Sequence, residues 1–191
     1  MINFSISNNQ IKKSLSLLGI AGIGVAVALP VLAQAYYPPM VFFQPIANPN
    51  YPYRSEKGNL ADSLENNDNF KNLAKEIELA GLAETLKKEN QTLTLIAPSD
   101  EAFEALPQEV FNKYNQPKNR LKVLQYHLIP KEVTEEDLQR GEVTTLAGET
   151  IAISSANNTL ALNGIQPKLL PTVASNGVAI EIDRVLLPPG F

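Results

Sequence analysis

The chain has no cysteine and only one histidine among its 191 residues. Without thiols there can be no disulfide framework, no cysteine-based metal site and no lipid-modified bacterial N-terminus, which is built on a cysteine. A lone histidine, His127, does not complete a usual zinc site, so no metal centre is expected. A nucleophilic triad would need a serine primed by that same histidine, and no Gly-x-Ser-x-Gly elbow exists. An Asp-x-Asp-x-Asp-Gly calcium loop is also missing, so the run Glu135-Glu136-Asp137 reads as the acidic first turn of a helix. Basic residues form no patch, and 16 Lys and Arg face 20 Asp and Glu. That balance argues against nucleic acid or anionic membrane surfaces as partners. No internal repeat is visible. These absences leave neither a catalytic constellation nor a cofactor site, and the chain is read as non-enzymatic.

What is present begins with a leader-like segment. Lys12 and Lys13 precede an apolar stretch, Leu15 to Leu32, and Ala33-Gln34-Ala35 fits a small-residue cleavage site. The apolar run is near the length that spans a bilayer, so a retained anchor is the competing reading. The glycines in the run, Pro30 and the cleavage-type site favour removal of residues 1–35 as a signal peptide. Export to the periplasm, cell surface or extracellular space is therefore expected. Removal leaves 156 residues with 14 basic and 20 acidic side chains, net −6. That length supports one domain with its own core, and hydrophobic burial must hold it together because disulfides cannot. The short leader and the lack of disulfides point to a bacterial source, in which the sequons Asn90-Gln91-Thr92 and Asn157-Asn158-Thr159 carry no meaning.

Residues 36–59 read as a linker, broken by Pro38, Pro39, Pro45, Pro49 and Pro52. Six aromatics (Tyr36, Tyr37, Phe42, Phe43, Tyr51, Tyr53) are unusual for a spacer and leave two readings. They pack on the neighbouring domain, or they form a sticky segment for a ligand or partner.

From residue 60 to 191 the chain is patterned as one domain. Phe70, Leu73, Ala74 and Ile77 recur at helical spacing until Gly81, a natural C-terminal cap, and Leu82, Ala83 and Leu86 make a second short helix. Leu93 to Ala97 is a strand-like apolar run stopped by Pro98. Ser99 is then placed to cap a helix opened by Asp100 and Glu101 and carried by Ala102, Phe103 and Leu106, with Pro107 ending it. Lys118 to Leu128 reads as an amphipathic helix with Leu121, Leu124 and Leu128 on one face, ending at Pro130. Thr134 to Asp137 starts another, with Leu138 as its apolar contact. Beyond Gly141 the period becomes alternating. Val143–Leu146, Thr150–Ile153 and Thr159–Leu162 are strand candidates, and Ala147-Gly148, Asn157-Asn158 and Asn163-Gly164 supply turns. A last strand, Val178 to Leu187, ends at Pro188. Helices first and hairpins after predict an α+β fold with mainly antiparallel sheets.

Three blocks, in this order, carry a resemblance. They are Thr94-Leu95-Ile96-Ala97-Pro98-Ser99-Asp100-Glu101-Ala102-Phe103, then Tyr126-His127, then Ser175-Asn176-Gly177-Val178 running to Ile182-Asp183 and Val185-Leu186-Leu187-Pro188. Over residues 60–188 the chain resembles the fasciclin domain, a secreted adhesion and interaction module. The resemblance implies a β-sandwich-like wedge with several short helices. It also implies that Thr94, Ala97 to Phe103, Asn176, Gly177, Val178, Asp183, Leu187 and Pro188 are mainly structural. Three departures stand out. Pro171 and Thr172 occupy the positions of an Asp-Ile pair linked to integrin binding in animal members, so that recognition does not carry over. Ile180 stands where many members have a histidine, and Lys131 where a glycine is common, a change expected only to adjust a turn.

His127 falls at the edge of its helix's apolar face, beside Leu124. Its bland reading is a partly buried imidazole tying the helix end to backbone, and its sharper one is a contact for a ligand or partner. Tyr126 points to another side of the helix, and the resemblance links the pair to adhesion. Together they are the expected first residues of partner binding. The leading functional expectation is an exported interaction module in cell-surface or matrix adhesion, its partner a protein or an envelope component. The alternative is a carrier of a small apolar ligand such as a carotenoid, because some algal fasciclin-domain proteins bind carotenoids. A carrier needs a concave apolar lining.

Overall fold

The computed structural model describes residues 54–55, 58–156, 159–168 and 171–191. Residues 1–35, expected to be a signal peptide, the aromatics of residues 36–53 and the expected Asn157-Asn158 turn lie outside the described residues. Along the chain run β1 (Arg54–Ser55), α1 (Leu60–Glu65), α2 (Lys71–Leu79), α3 (Ala83–Leu86), β2 (Leu93–Pro98), α4 (Asp100–Glu104), α5 (Gln108–Tyr114), α6 (Pro117–Tyr126) and β3 (Leu128–Ile129). There follow α7 (Glu135–Arg140), β4 (Glu142–Thr144), β5 (Thr150–Ala156), β6 (Thr159–Leu162), β7 (Thr172–Ala174) and β8 (Gly177–Ile182). The fold is α+β. One sheet has the order β1-β7-β8-β2-β3 and the other β4-β5-β6. Most pairings are antiparallel, but β2 runs parallel to β8, and β1 parallel to β7.

Side-chain alternation along β2 explains why the strand is apolar throughout. Leu93, Leu95 and Ala97 face a core shared with α1, α2, α3 and α6. Ile96 faces a second core, between the two sheets, with Val143, Ile151, Ile153, Val178, Ile180 and Ile182. A strand buried on both faces reads as a continuous hydrophobic run. Helix ends are set by local chemistry. Gly81, at φ +71°, lets Leu82 N–H reach the Ile77 carbonyl and Gly81 N–H the Glu78 carbonyl, both at 3.0 Å. This is a Schellman closure, and its partners Ile77 and Leu82 are both buried. Thr134 caps α7 reciprocally with Asp137. Asn163 and Gly164 both have positive φ, matching a tight two-residue hairpin after β6.

Several expected boundaries moved. Leu128 is not helical, since α6 stops at Tyr126 and Leu128–Ile129 pairs with β2. Ile129 precedes Pro130, whose ring disfavours a helical residue before it, so the chain must extend there. Pro107 ends α4 but also opens α5, a helix that Gln108–Tyr114 did not announce. The last strand ends at Ile182 instead of Leu187, and the chain bends at Asp183-Arg184. The three-residue β7 went unread, and the sheet takes up Arg54–Ser55 from the stretch read as linker. No helix among the described residues is long and apolar enough to cross a membrane.

Candidate functional site

The three motif blocks, far apart in sequence, meet on adjacent strands. Thr94 to Pro98 register with Val178 to Ile182, and Thr94 and Leu95 with Ile129 and Leu128 on the other side. Ile96 N–H donates to the His127 carbonyl at 2.9 Å. Thr94 Oγ1 donates to the Lys131 carbonyl at 3.0 Å, so the one polar side chain inside β2 is satisfied.

His127 sits at the C-cap of α6 and is wholly buried. Nδ1 lies 2.8 Å from the Val123 carbonyl, one helical turn back, so Nδ1 carries the proton and donates. Nε2 is left to accept, and the Leu186 N–H donates to it at 3.0 Å. The imidazole thus ties the helix end to the C-terminal strap. Burial holds its pKa down to about 4, against the smaller opposing effect of the Val123 hydrogen bond. Tyr126 is also buried. Its hydroxyl donates to the Thr150 carbonyl at 3.0 Å and accepts from Asn163 Nδ2 at 2.9 Å, joining α6 to the second sheet. Expected as the first contacts for a partner, both side chains instead point inward with their polar atoms engaged.

Asn176 is a hub that the sequence reading named without assigning it partners. Its Oδ1 accepts from Leu60 N–H at 2.8 Å, capping the start of α1. Nδ2 donates to the Leu86 and Lys88 carbonyls at 2.7 and 3.1 Å, and its own carbonyl accepts from Leu93 N–H at 3.0 Å. One buried residue therefore fixes α1 and the end of α3 through its side chain and the entry to β2 through its backbone carbonyl. Gly177 follows because nothing larger fits. A Cβ there would lie 2.1 Å from the Leu93 carbonyl oxygen.

The corner after β2 works differently from the expected cap. Ser99 stands at the N-cap of α4 with extended backbone, yet its hydroxyl accepts no helix N–H. Its hydroxyl instead favours the charged form of the neighbouring Glu101 carboxyl and lowers that group's pKa. Asp100 reaches across to accept from Asn72 N–H at 2.8 Å, docking α4 against the first turn of α2. Ala102 and Phe103 are buried, with Phe103 6.0 Å from the Tyr114 ring. Val178 and Pro188 are buried, while Leu187 and Asp183 are exposed.

Lys131 does more than adjust a turn. Its ammonium and the Arg140 guanidinium both donate to the carboxylate of Asp137, whose side chain is wholly buried. Thr134 N–H and hydroxyl supply two more bonds. Burial pushes this carboxyl upward, but the Lys131 and Thr134 hydrogen bonds and the neighbouring positive charge outweigh it and hold the pKa at about 2.

Comparison with known proteins agrees with this arrangement. The Fasciclin domain matches residues 68–188. The chain is 35% identical over 126 residues to protein sll1483 of Synechocystis sp., covering 64% of this chain and 69% of that protein. It is 34% identical over 139 residues to transforming growth factor-beta-induced protein ig-h3 of Oryctolagus cuniculus, covering 69% of this chain but 20% of that protein. Against human periostin it is 31% identical over 132 residues, covering 68% of this chain and 16% of periostin. The chain thus spans about a fifth or less of those two larger relatives. The solved FAS1 domain pair from the insect cell adhesion molecule fasciclin I aligns with a TM-score of 0.57 at 18% identity, covering 72% of this chain and 52% of that one. The chain belongs to the Fasciclin domain family.

Proposed function

We propose that the protein is an exported, non-enzymatic interaction module that contributes to cell-surface or matrix adhesion. Its partner would be a protein or an envelope or matrix component. The supporting observation is where the distinctive polar groups go. Tyr126, His127, Asn176 and Asp137 all direct their polar atoms at the protein's own backbone and side chains, so recognition falls to the surface that these bonds hold in place. Membership of a family that includes an insect cell adhesion molecule supports the same reading. Pulldown with the exported chain against envelope extracts, alongside cell aggregation in a deletion strain, tests it. Retention of a saturable envelope partner and reduced aggregation are expected. A chain that retains nothing, in a strain that aggregates normally, refutes the reading.

A second reading, a carrier of a small apolar ligand, is favoured by one observation. A cleft of about 430 Å³ has Phe103, Leu106 and Phe111 in its wall, beside the polar Asn72, Lys75, Glu76, Glu104 and Gln108. Purification from the native host followed by a visible spectrum decides it, because a carotenoid carrier must be coloured. A colourless protein that takes up no added carotenoid rules it out.

A further inference from the structure

The same cleft is lined mostly by polar side chains, and several of their polar ends are unpaired. Asn72, Lys75 and Glu76 come to it from α2, on one helix face at spacings of three and four. Gln108 and Phe111 come from α5, again one turn apart, and Glu104 from the end of α4. Glu76 is the fixed point. Arg120 Nε and the Tyr114 hydroxyl both donate to its Oε2, at 2.6 and 3.0 Å. The carboxylate is thereby held in place while Oε1 takes no bond among the described residues and is not sealed from solvent. Asn72 commits its backbone N–H to Asp100, but its side-chain amide makes no bond among the described residues. Gln108 Nε2 donates to Asn112 at 3.0 Å, which leaves its Oε1 to accept.

These groups select the chemistry of an occupant. Arg120 offsets the charge of Glu76, and Lys75 on the rim offsets Glu104, so the lining as a whole favours neither sign. Phe103 is buried, whereas Phe111 is 38% exposed and offers its ring to a ligand. An apolar molecule seated there would desolvate Glu76 Oε1 and the Asn72 amide without replacing their hydrogen bonds to water, a costly exchange. A peptide is no better served. The lining comes from helices and the turn between them, so an extended chain finds no strand edge to pair with, and an amphipathic helix needs an apolar groove. A sugar ring meets every requirement. Its hydroxyls donate to carboxylate and amide oxygens and accept from an amide nitrogen, its C–H face lies on an aromatic ring, and it carries no charge. The volume of about 430 Å³ falls within the roughly 300–1,000 Å³ of small-ligand sites.

We propose that the cleft between α2 and α4–α5 binds a neutral glycan, with one sugar ring stacked on Phe111 and its hydroxyls shared among Glu76, Asn72 and Gln108. The proposal deepens the interaction reading and rests on it for the setting, the envelope or matrix, in which such a glycan is met. It assigns the cleft to a polar ligand in place of the apolar one of the carrier reading.

The test titrates the exported chain with neutral oligosaccharides of glucose, xylose, mannose, galactose and N-acetylglucosamine, and with the uncharged polysaccharide fraction of its envelope. Calorimetry gives affinity, and amide-shift NMR gives the place of binding. At least one glycan is expected to bind with a Kd below about 1 mM, with shifts centred on α2 and the α4–α5 turn. Raising salt to about 0.5 M should leave the affinity unchanged, since the ligand carries no charge to screen. Phe111 is exposed enough for its variants to fold, which the amide spectrum checks. Phe111→Leu should weaken binding about tenfold by removing the stacking ring, while Phe111→Trp keeps it. Asn72→Ala should weaken it about fivefold, and Leu146→Ala, outside the cleft, should not change it. No binding across the whole set overturns the proposal. So do shifts centred away from the cleft, binding abolished by salt, or a Phe111→Leu chain that binds as tightly as the parent. An envelope protein retained by the parent and lost by Phe111→Leu also overturns it, because the occupant would then be a protein surface. Envelope pulldown decides the broader interaction reading separately, so a chain that retains an envelope partner but binds no glycan removes this proposal alone.

Discussion

Acidification should loosen this domain through His127 before it affects any buried carboxylate. The folded imidazole holds its proton on Nδ1 and must accept from Leu186 N–H through Nε2. A second proton on Nε2 removes that acceptor and places a positive charge in a buried site. Burial sets the folded pKa near 4, against 6.5 for an imidazole free in water. At ~1.4 kcal/mol per decade of proton affinity, the difference is worth about 3 kcal/mol. The sign follows from linkage. The folded pKa is the lower one, so the unfolded chain binds more protons between pH 6.5 and 4. The stability tied to neutral His127 is therefore complete above 6.5 and is lost as pH falls toward 4. A domain of this size has about 5–15 kcal/mol in all, so the loss is a large fraction. Denaturant unfolding from pH 7.5 to 3.5 should show it, with His127→Gln as the reference that does not titrate. That variant should be weaker at pH 7.5 by about 2 kcal/mol, since Leu186 N–H loses its best partner. It should also lose less stability on acidification. The chain's only histidine gives one set of imidazole NMR signals, which should stay in the neutral form down to about pH 5. Parallel stability curves for the two proteins, or an imidazole titrating near 6.5 in the folded state, would refute the reasoning.

Asn176→Ala should lower stability by about 3 kcal/mol or more, because it strands the buried Leu60 N–H and the Leu86 carbonyl at once. Denaturant unfolding measures it, and a loss below about 1 kcal/mol would contradict the hub assignment. Gly177→Ala should be worse tolerated than any other glycine-to-alanine change among the described residues, since its Cβ meets the Leu93 carbonyl at 2.1 Å. Soluble yield and melting temperature compared with Gly164→Ala, which meets nothing within 4 Å, check this. Asp137→Asn should cost stability at neutral pH and flatten the acid limb below pH 3.8. The carboxyl's folded pKa, near 2, is the depressed one, so its contribution is present above 3.8 and disappears as pH falls toward 2. A variant whose unfolding curve matches the parent's at pH 2.5 and at pH 7 alike would show that the Lys131 and Arg140 contacts contribute nothing.

Local signals were legible wherever a short stretch decides its own conformation. Gly81 ends α2, Thr134 and Asp137 box the start of α7, and Asn163-Gly164 turns the chain after β6, each through bonds a few residues long. Boundaries failed where distant partners decide. Leu128 keeps a helical spacing with Leu121 and Leu124, but a strand more than thirty residues upstream claims it. Val185 to Leu187 look like strand continuing from Ile182, yet Leu186 N–H is taken by an imidazole and not by a neighbouring strand. The parallel pairing of β2 with β8 joins segments about eighty residues apart. Nothing in either segment's composition states the direction of that pairing.

The candidate pair Tyr126-His127 shows the same division at the level of function. Half of the histidine's environment was within reach of the sequence, because Val123 lies one helical turn back and its carbonyl is a natural partner. The other half, Leu186, and both partners of the Tyr126 hydroxyl come from segments that only the topology delivers. A polar pair at the end of an apolar helix face therefore looks alike whether it faces a partner or a strap of its own chain. Burial separates the two cases. Exposed recognition residues do not need both ring nitrogens and a phenol satisfied internally, whereas buried ones do. What the pair holds is nonetheless informative. Leu146 donates its N–H to Leu128, next to His127, and Leu187 follows the residue that His127 anchors. Both leucines are among the large apolar side chains left exposed. Loosening the Leu186 bond to His127 should shift Leu187 on the surface, so if the proposed interaction role holds, its loss after a change at His127 would report on positioning and not on contact.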